Sequence, residues 1–179
     1  MVANVKQGRR IVIIGSSGSG KTTLAREIAR KLTLPHIELD ALHWEANWTE
    51  ASFDQFKTRV ENSLQTDGWV VDGNYSKVRD LIWLKADTLI WLDYSFPVVF
   101  GRVVQRTFWR AISQQELWNG NRETWQIVFS HNSMILWVLR TYWQRQREWT
   151  LLCQQPEYAH LQIIRFSSPK ATRQWLEAL

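Results

Sequence analysis

The chain has 179 residues, 45% of them hydrophobic and 22% charged, and carries a formal net charge of +5. That length suits one domain spanning residues 1–179 with a sizeable core. The lone Cys153 excludes an internal disulfide and any cysteine-based zinc site. The first nine residues are too short and polar for a signal peptide, and no apolar run is long enough to cross a bilayer. A cytoplasmic protein with no membrane partner is the expectation.

Residues 10–14, RIVII, form a continuous β-branched run, the pattern of a strand covered on both faces. Gly15, Ser16, Ser17, Gly18, Ser19, Gly20, Lys21 and Thr22 then fit G-x-x-x-x-G-K-[ST]. Average composition produces such a match by chance in about half a percent of chains this long. Leu24, Ile28, Ala29 and Leu32 follow at helical spacing, completing the strand, glycine loop and helix that the motif requires. The physics is that of a phosphate cradle. Glycines turn backbone N–H groups inward, and the helix N-terminus adds partial positive charge. Lys21 reaches the β- and γ-phosphates, the Thr22 hydroxyl is placed for Mg²⁺, and Thr23 lies near the α-phosphate. ATP and Mg²⁺ are the expected cofactors.

Residues 36–40 read as a second short strand ending in Asp40. Residues 49–64 read as a helix, with Thr49 or Ser52 as N-cap and Phe53, Phe56, Val60 and Leu64 on one face. Residues 68–72 form a third strand, in which Trp69, Val70 and Val71 lead into Asp72, the pattern of a Walker-B carboxylate; Gly73 then permits a sharp turn. Residues 87–93 form a fourth strand, whose terminal Asp93 competes for that role and ranks second. From Pro97 a helix runs to about residue 112, with Arg102, Arg106 and Arg110 on one drifting face. A polar loop covers 113–121. Helical pattern resumes over 122–152, with a break near 131–133. Residues 160–166 are a fifth strand, and a terminal helix starts at Pro169. This alternation predicts an α/β three-layer sandwich with a five-stranded parallel sheet and right-handed crossovers. Ligands in such sheets sit at the carboxyl ends of strands, where the glycine loop, Asp40 and Asp72 fall together.

Three stretches, LPHIELDALHW, WVVDGNYSKVRDLIW and ADTLIWLDYSFPV, stand in the order found in adenylate-kinase-like P-loop kinases, which the chain resembles. Through ELDALHW, VVDGNYSKVRD and LWNGNRE it looks most like the bacterial topology modulation proteins of that superfamily. The resemblance implies an acceptor-binding region over about 38–76, contacted by Asp40, His43, Trp44, Gly73, Asn74, Tyr75 and Arg79. Asp40 is then either a general base or an orienting group. The resemblance also implies a helical lid over about 102–125, whose Arg106, Arg110 and Arg122 close over the phosphates and exclude water. Two departures argue against AMP as acceptor: Asn74-Tyr75-Ser76 replaces the tail of D-G-F-P-R, and Glu38-Leu39 precedes Asp40.

The implied activity is an ATP-dependent phosphotransferase acting on a small molecule, nucleotides and nucleosides among the candidates. Lys21, Asp72, Asp40, Arg110 and Arg122 would carry catalysis, with Thr22 and Asp72 on the metal. The alternative is a nucleotide-dependent DNA-binding or DNA-topology regulatory ATPase. Residues 98–152 favour polyanions in either case, with seven arginines against three glutamates and a net +4. The stretch MILWVLRTYWQRQREW reads as a nucleic-acid face or a lid-supporting helix, and aromatics at helical spacing favour the second. No N-K-x-D guanine motif follows any strand, which argues against a GTPase switch.

Overall fold

The computed structural model describes residues 8–131 and 133–179. Its centre is a sheet of five parallel strands in the order β2-β3-β1-β4-β5. These are β1 (Arg10–Gly15), β2 (His36–Glu38), β3 (Trp69–Asp72), β4 (Thr88–Leu92) and β5 (Gln162–Phe166). β1, β3 and β4 are buried almost throughout, which is why they read as unbroken apolar runs rather than alternating ones.

Helices cover both faces. On one side α1 (Lys21–Leu32), α5 (Phe96–Ser113) and α8 (Pro169–Ala178) pack on Ile11, Ile13, Val70 and Ile90. On the other, α3 (Phe53–Ser63) and α4 (Arg79–Trp83) pack on Val12, Ile14, Val71 and Leu89. α7 (Met134–Leu152) serves both cores, through Val138 and Tyr142 on the first and Trp149 and Leu152 on the second. Two short helices complete the set, α2 (Leu39–His43) and α6 (Trp125–Val128). Among the described residues, no helix is long and apolar enough to cross a membrane.

Local chemistry sets several boundaries. Ser52 caps α3 in a reciprocal box with Gln55, so the helix starts at Phe53, four residues after Thr49. The second strand stops at Glu38, because residues 39–43 close a helical turn that carries Asp40. The helical stretch after residue 122 is two helices, α6 and α7, and Ser133 caps the second. Of the expected break at 131–133, Asn132 lies outside the described residues.

The register positions the site. β1 sits between β3 and β4, with Ile13 opposite Asp72 and Gly15 opposite Leu92. β2 lies beside β3, with Glu38 opposite Asp72. The chain leaves β1 for the far strand β2 and returns through β3, so the connections diverge above β1 and open a crevice there.

Candidate active site

The glycine loop lies at the end of β1, in that crevice. Gly20 is the N-cap of α1 in the left-handed region, at φ 95°, a conformation glycine takes without a Cβ penalty. Gly18 is packed hard against α5: a Cβ there would lie 2.5 Å from a Val103 methyl and 2.9 Å from the Val99 carbonyl. The loop is therefore clamped between β1 and α5. Arg102 reinforces the clamp by donating to the Ser19 carbonyl (3.2 Å), and Arg106 by donating to Ser17 Oγ (2.9 Å).

Lys21 is partly buried at the start of α1 and donates to the carbonyls of Gly15 (2.9 Å) and Ser16 (3.2 Å). Burial holds its pKa down to about 8, against the opposing pull of Asp72 and Asp40. The neighbouring Ser16 and Ser19 hydroxyls are buried without a hydrogen-bond partner among the described residues. Unpaired buried hydroxyls beside an ammonium are costly unless something polar meets them, and a phosphate's oxygens do so.

Thr22 donates through Oγ1 to Asp72 Oδ2 at 2.5 Å, and His36 Nε2 lies 2.8 Å from Asp72 Oδ1. With the carboxylate accepting on both oxygens, the imidazole carries its proton on Nε2. Two hard oxygen donors at the mouth of a phosphate loop suit Mg²⁺, which takes few protein ligands and fills the rest with phosphate and water. No cluster of three or more His, Cys, Asp or Glu side chains competes among the described residues. Asp93, the second candidate, is turned away. It receives hydrogen bonds from Arg165, whose guanidinium also lies over Trp91.

The acceptor-side residues gather on the β3 side of the loop. Asn74 donates to the Gly15 carbonyl at 2.6 Å, and Tyr75 donates its hydroxyl to Asp40 Oδ1 at 2.6 Å. Burial and the adjacent Asp40 both raise the Tyr75 pKa, so the phenol stays protonated as a fixed donor. His43 is buried among the rings of Trp44, Phe56 and Tyr75, where desolvation lowers its pKa. It supports Tyr75 rather than facing the crevice. Arg79 pairs with Glu148 at 2.6 Å.

The predicted lid arginines divide. Arg106 is partly buried over the glycine loop, and desolvation lowers its pKa. Arg110 pairs with the buried Glu123 at 2.9 Å. Arg122 points outward, its side chain 51% exposed and 3.5 Å from Glu116, so it does not join the phosphate-facing group. Thr23 is likewise exposed on the first turn of α1.

What the sequence did not single out is a latch. Two small loops, 44–50 and 116–122, are each closed by a bridge, Trp44 to Glu50 and Glu116 to Arg122. Each turns through an asparagine in the left-handed region, Asn47 and Asn119. Asn121 joins them, accepting from the Trp48 amide (2.7 Å) and donating to the carbonyls of Glu45 (2.7 Å) and Trp118 (2.9 Å). Asn119 donates to the Trp44 carbonyl, and the Trp48 indole donates to the Arg122 carbonyl at 3.1 Å. Loop 116–122 thus rests on loop 44–50, and through Glu123, Arg110 and Arg106 of α5 it also reaches the glycine loop.

Comparisons with known proteins agree with this layout. The ABC transporter family model matches residues 1–78, the part holding β1, the glycine loop and Asp72. A probable gluconokinase of Schizosaccharomyces pombe is 53% identical over 36 residues, which are 20% of this chain and 19% of that protein. The chain thus spans about a fifth of the length of the curated relative it matches. Among solved structures, shikimate kinase from Bacteroides thetaiotaomicron superposes with a TM-score of 0.53 at 16% identity, covering 96% of both chains. A gluconokinase from Sinorhizobium meliloti 1021 gives 0.50 at 21% identity, covering 93% of this chain and 89% of that one. The chain has the fold of these P-loop kinases.

The latch makes one prediction. Asn121→Ala removes three hydrogen bonds from a buried site, a local loss of about 2 kcal/mol. Hydrogen exchange at the Trp48 amide is expected to quicken roughly thirtyfold, and trypsin to cut faster after Arg122. Unchanged protection at Trp48 would refute the latch.

Proposed function

We propose that the chain is an ATP-dependent kinase transferring the γ-phosphoryl group to a hydroxyl of a small-molecule acceptor, with Mg²⁺. One observation carries this reading. Around the loop that holds Lys21, Thr22 meets Asp72 at 2.5 Å, Arg106 donates to Ser17, and Asn74, next to the Tyr75 that holds Asp40, donates to the Gly15 carbonyl. The carboxylate suited to a metal, the acceptor-side residues and an arginine of α5 therefore gather on one phosphate loop, as in-line phosphoryl transfer requires. The names of the neighbours, a shikimate kinase and gluconokinases, support the same class of reaction.

In this reading the amides of residues 15–22 and Lys21 bind the triphosphate. Thr22 and Asp72 would hold Mg²⁺, which neutralises charge on the β- and γ-phosphates when bound. His36 orients Asp72. The acceptor hydroxyl lies by Asp40, which Tyr75 fixes in place, and gives its proton to that carboxylate as the new O–P bond forms. The bond from the γ-phosphorus to its bridging oxygen breaks, and ADP leaves. Arg106 faces the transferring group, and the lid of about 102–125 keeps water from competing for it. The acceptor region of about 38–76 works with that lid within a single unit of 1–179. Arg110 and Glu123 hold the lid together rather than touching phosphate.

The DNA-topology alternative gains no support from the comparisons. α7, the helix that suggested it, turns Val138, Tyr142 and Trp149 into the cores. It is packed along one side, while Trp137 and Trp143 stay exposed on the rest of its surface. The resemblance to topology modulation proteins rests on the three sequence stretches alone and names no acceptor.

Two predictions follow from the site. Asp72→Asn is expected to lower Mg²⁺-dependent ATP turnover at least a hundredfold while changing nucleotide affinity less than tenfold, read from steady-state kinetics and equilibrium binding. Asp93→Asn is expected to leave both near wild type, and the reverse pattern would move the metal to Asp93. Bound phosphates favour the charged form of Lys21, whose pKa in the free protein is about 8. ATP binding should therefore take up about half a proton at pH 8 beyond that of Lys21→Ala, rising toward one by pH 9 and vanishing below pH 7. Calorimetry in buffers of different ionisation enthalpy measures this; no difference from Lys21→Ala would contradict it.

A further inference from the structure

A cavity of about 90 Å³ lies between the carboxyl ends of β1 and β3 and the inner face of α7. Its polar walls are Asn74, Tyr75 and Ser76, its flat walls Trp83 and Trp149, and its charged walls Arg79, Glu148 and Arg145. The charges do not balance. Arg79 and Glu148 satisfy each other at 2.6 Å. Arg145, one turn before Glu148 on α7, makes no hydrogen bond or ion pair among the described residues. Its guanidinium lies against the rings of Trp137 (5.5 Å) and Trp149 (5.9 Å), which fix its plane. Burial lowers its pKa, with Arg79 adding to the effect and Glu148 opposing it. A half-buried guanidinium with open donors is costly unless a fork-accepting anion meets it.

The position of this cation matters as much as its charge. Arg145 and Tyr75 line the same cavity, and the Tyr75 hydroxyl donates to Asp40 Oδ1 at 2.6 Å. An anion on Arg145 would thus lie on the acceptor side, in the cavity walled by the residue that holds the carboxylate proposed to receive the hydroxyl proton. The volume bounds that molecule. Sites for drug-sized ligands run to about 300–1,000 Å³, and a base with its ribose needs such a space. About 90 Å³ holds a compact chain of a few carbons.

We infer that the acceptor is a compact hydroxy anion, a carboxylate or phosphate monoester rather than a nucleotide or nucleoside, and that Arg145 binds its anionic group while a hydroxyl reaches Asp40. This rests on the kinase reading for the word acceptor; the anion site itself does not. Arg145 sets specificity by charge: a neutral polyol of the same shape leaves its donors unmet and is rejected.

The test uses the full chain with Mg²⁺ and ATP. The probes are D-gluconate and glycerate as hydroxycarboxylates, glycerol 3-phosphate as a phosphate monoester, glucose and glycerol as neutral counterparts, and AMP and adenosine as bulky ones. Tryptophan fluorescence reads affinity through Trp149, and labelled ATP reads transfer. At least one anion is expected to bind a hundredfold more tightly than its neutral counterpart, and the carboxylate and phosphate arms show which anion is preferred. In Arg145→Ala that ratio is expected to fall to near one; in Arg145→Lys it is partly kept. Cooperative thermal unfolding checks that each variant is folded. A ratio near one in the wild type, a ratio unmoved by Arg145→Ala, or tightest binding of AMP or adenosine overturns the inference. Anion binding through Arg145 without transfer leaves the anion site standing and removes the kinase reading; transfer to a nucleotide does the reverse.

Discussion

A single ammonium, partly buried in the glycine loop, governs this structure. Lys21 is driven into the protein because the strand before it and the helix after it are both core elements, and the loop between them is held by close contact of Gly18 with α5. A lone cation there would be expelled or neutralised. It is kept by two loop carbonyls and by carboxylates arriving on other strands: Asp72 at the end of β3 and Asp40 just past β2. The sheet order β2-β3-β1 makes this possible, because it stacks three strand ends side by side over the loop. The same order brings His36 onto Asp72, so this carboxylate is braced by His36 from β2 and by Thr22 from α1.

The lid belongs to the same network. Arg102 and Arg106 descend from α5 onto the glycine loop, and Glu123 ties Arg110 of that helix to the lid loop. Asn121 then carries the connection to residues 45 and 48 on the acceptor side. A polar chain therefore runs from the phosphate loop, over the top of the crevice, to the wall beside Asp40. In the kinase proposed above, such a chain would couple nucleotide to acceptor, since ordering either wall favours the other. The dry site would then assemble only when both walls are in place.

Much of this was legible in the chain. The apolar runs at 10–14, 68–72 and 87–93 became the three central strands because a strand buried on both faces leaves a continuous signal. The glycine loop and Asp72 were legible because each is a local pattern at a strand end. The rest depended on what lies beside what. The His36 contact to Asp72 spans thirty-six residues and appears only once β2 is known to neighbour β3. Asp40 fell on a helical turn instead of a strand end, since residues 39–43 are too few for a periodic signal. Arg122 and Arg145 were indistinguishable as arginines in a basic, aromatic segment. The first turns out to Glu116 and the second in to the cavity, because α7 carries aromatics on more than one face and its period does not say which is inward. Asn121 could be read as a polar loop residue, but its partners sit some seventy-five residues away.

The claim on which the account stands is that residues 15–22 grip a triphosphate beside a metal held by Thr22 and Asp72. A crystal grown with Mg²⁺ and a non-hydrolysable ATP analogue tests it most directly. The account predicts β- and γ-phosphates within hydrogen-bond distance of the loop amides, Lys21 Nζ moved from the Gly15 and Ser16 carbonyls onto phosphate, and an ion on Thr22 Oγ1. Nucleotide bound elsewhere, with Lys21 still on those carbonyls, would contradict it.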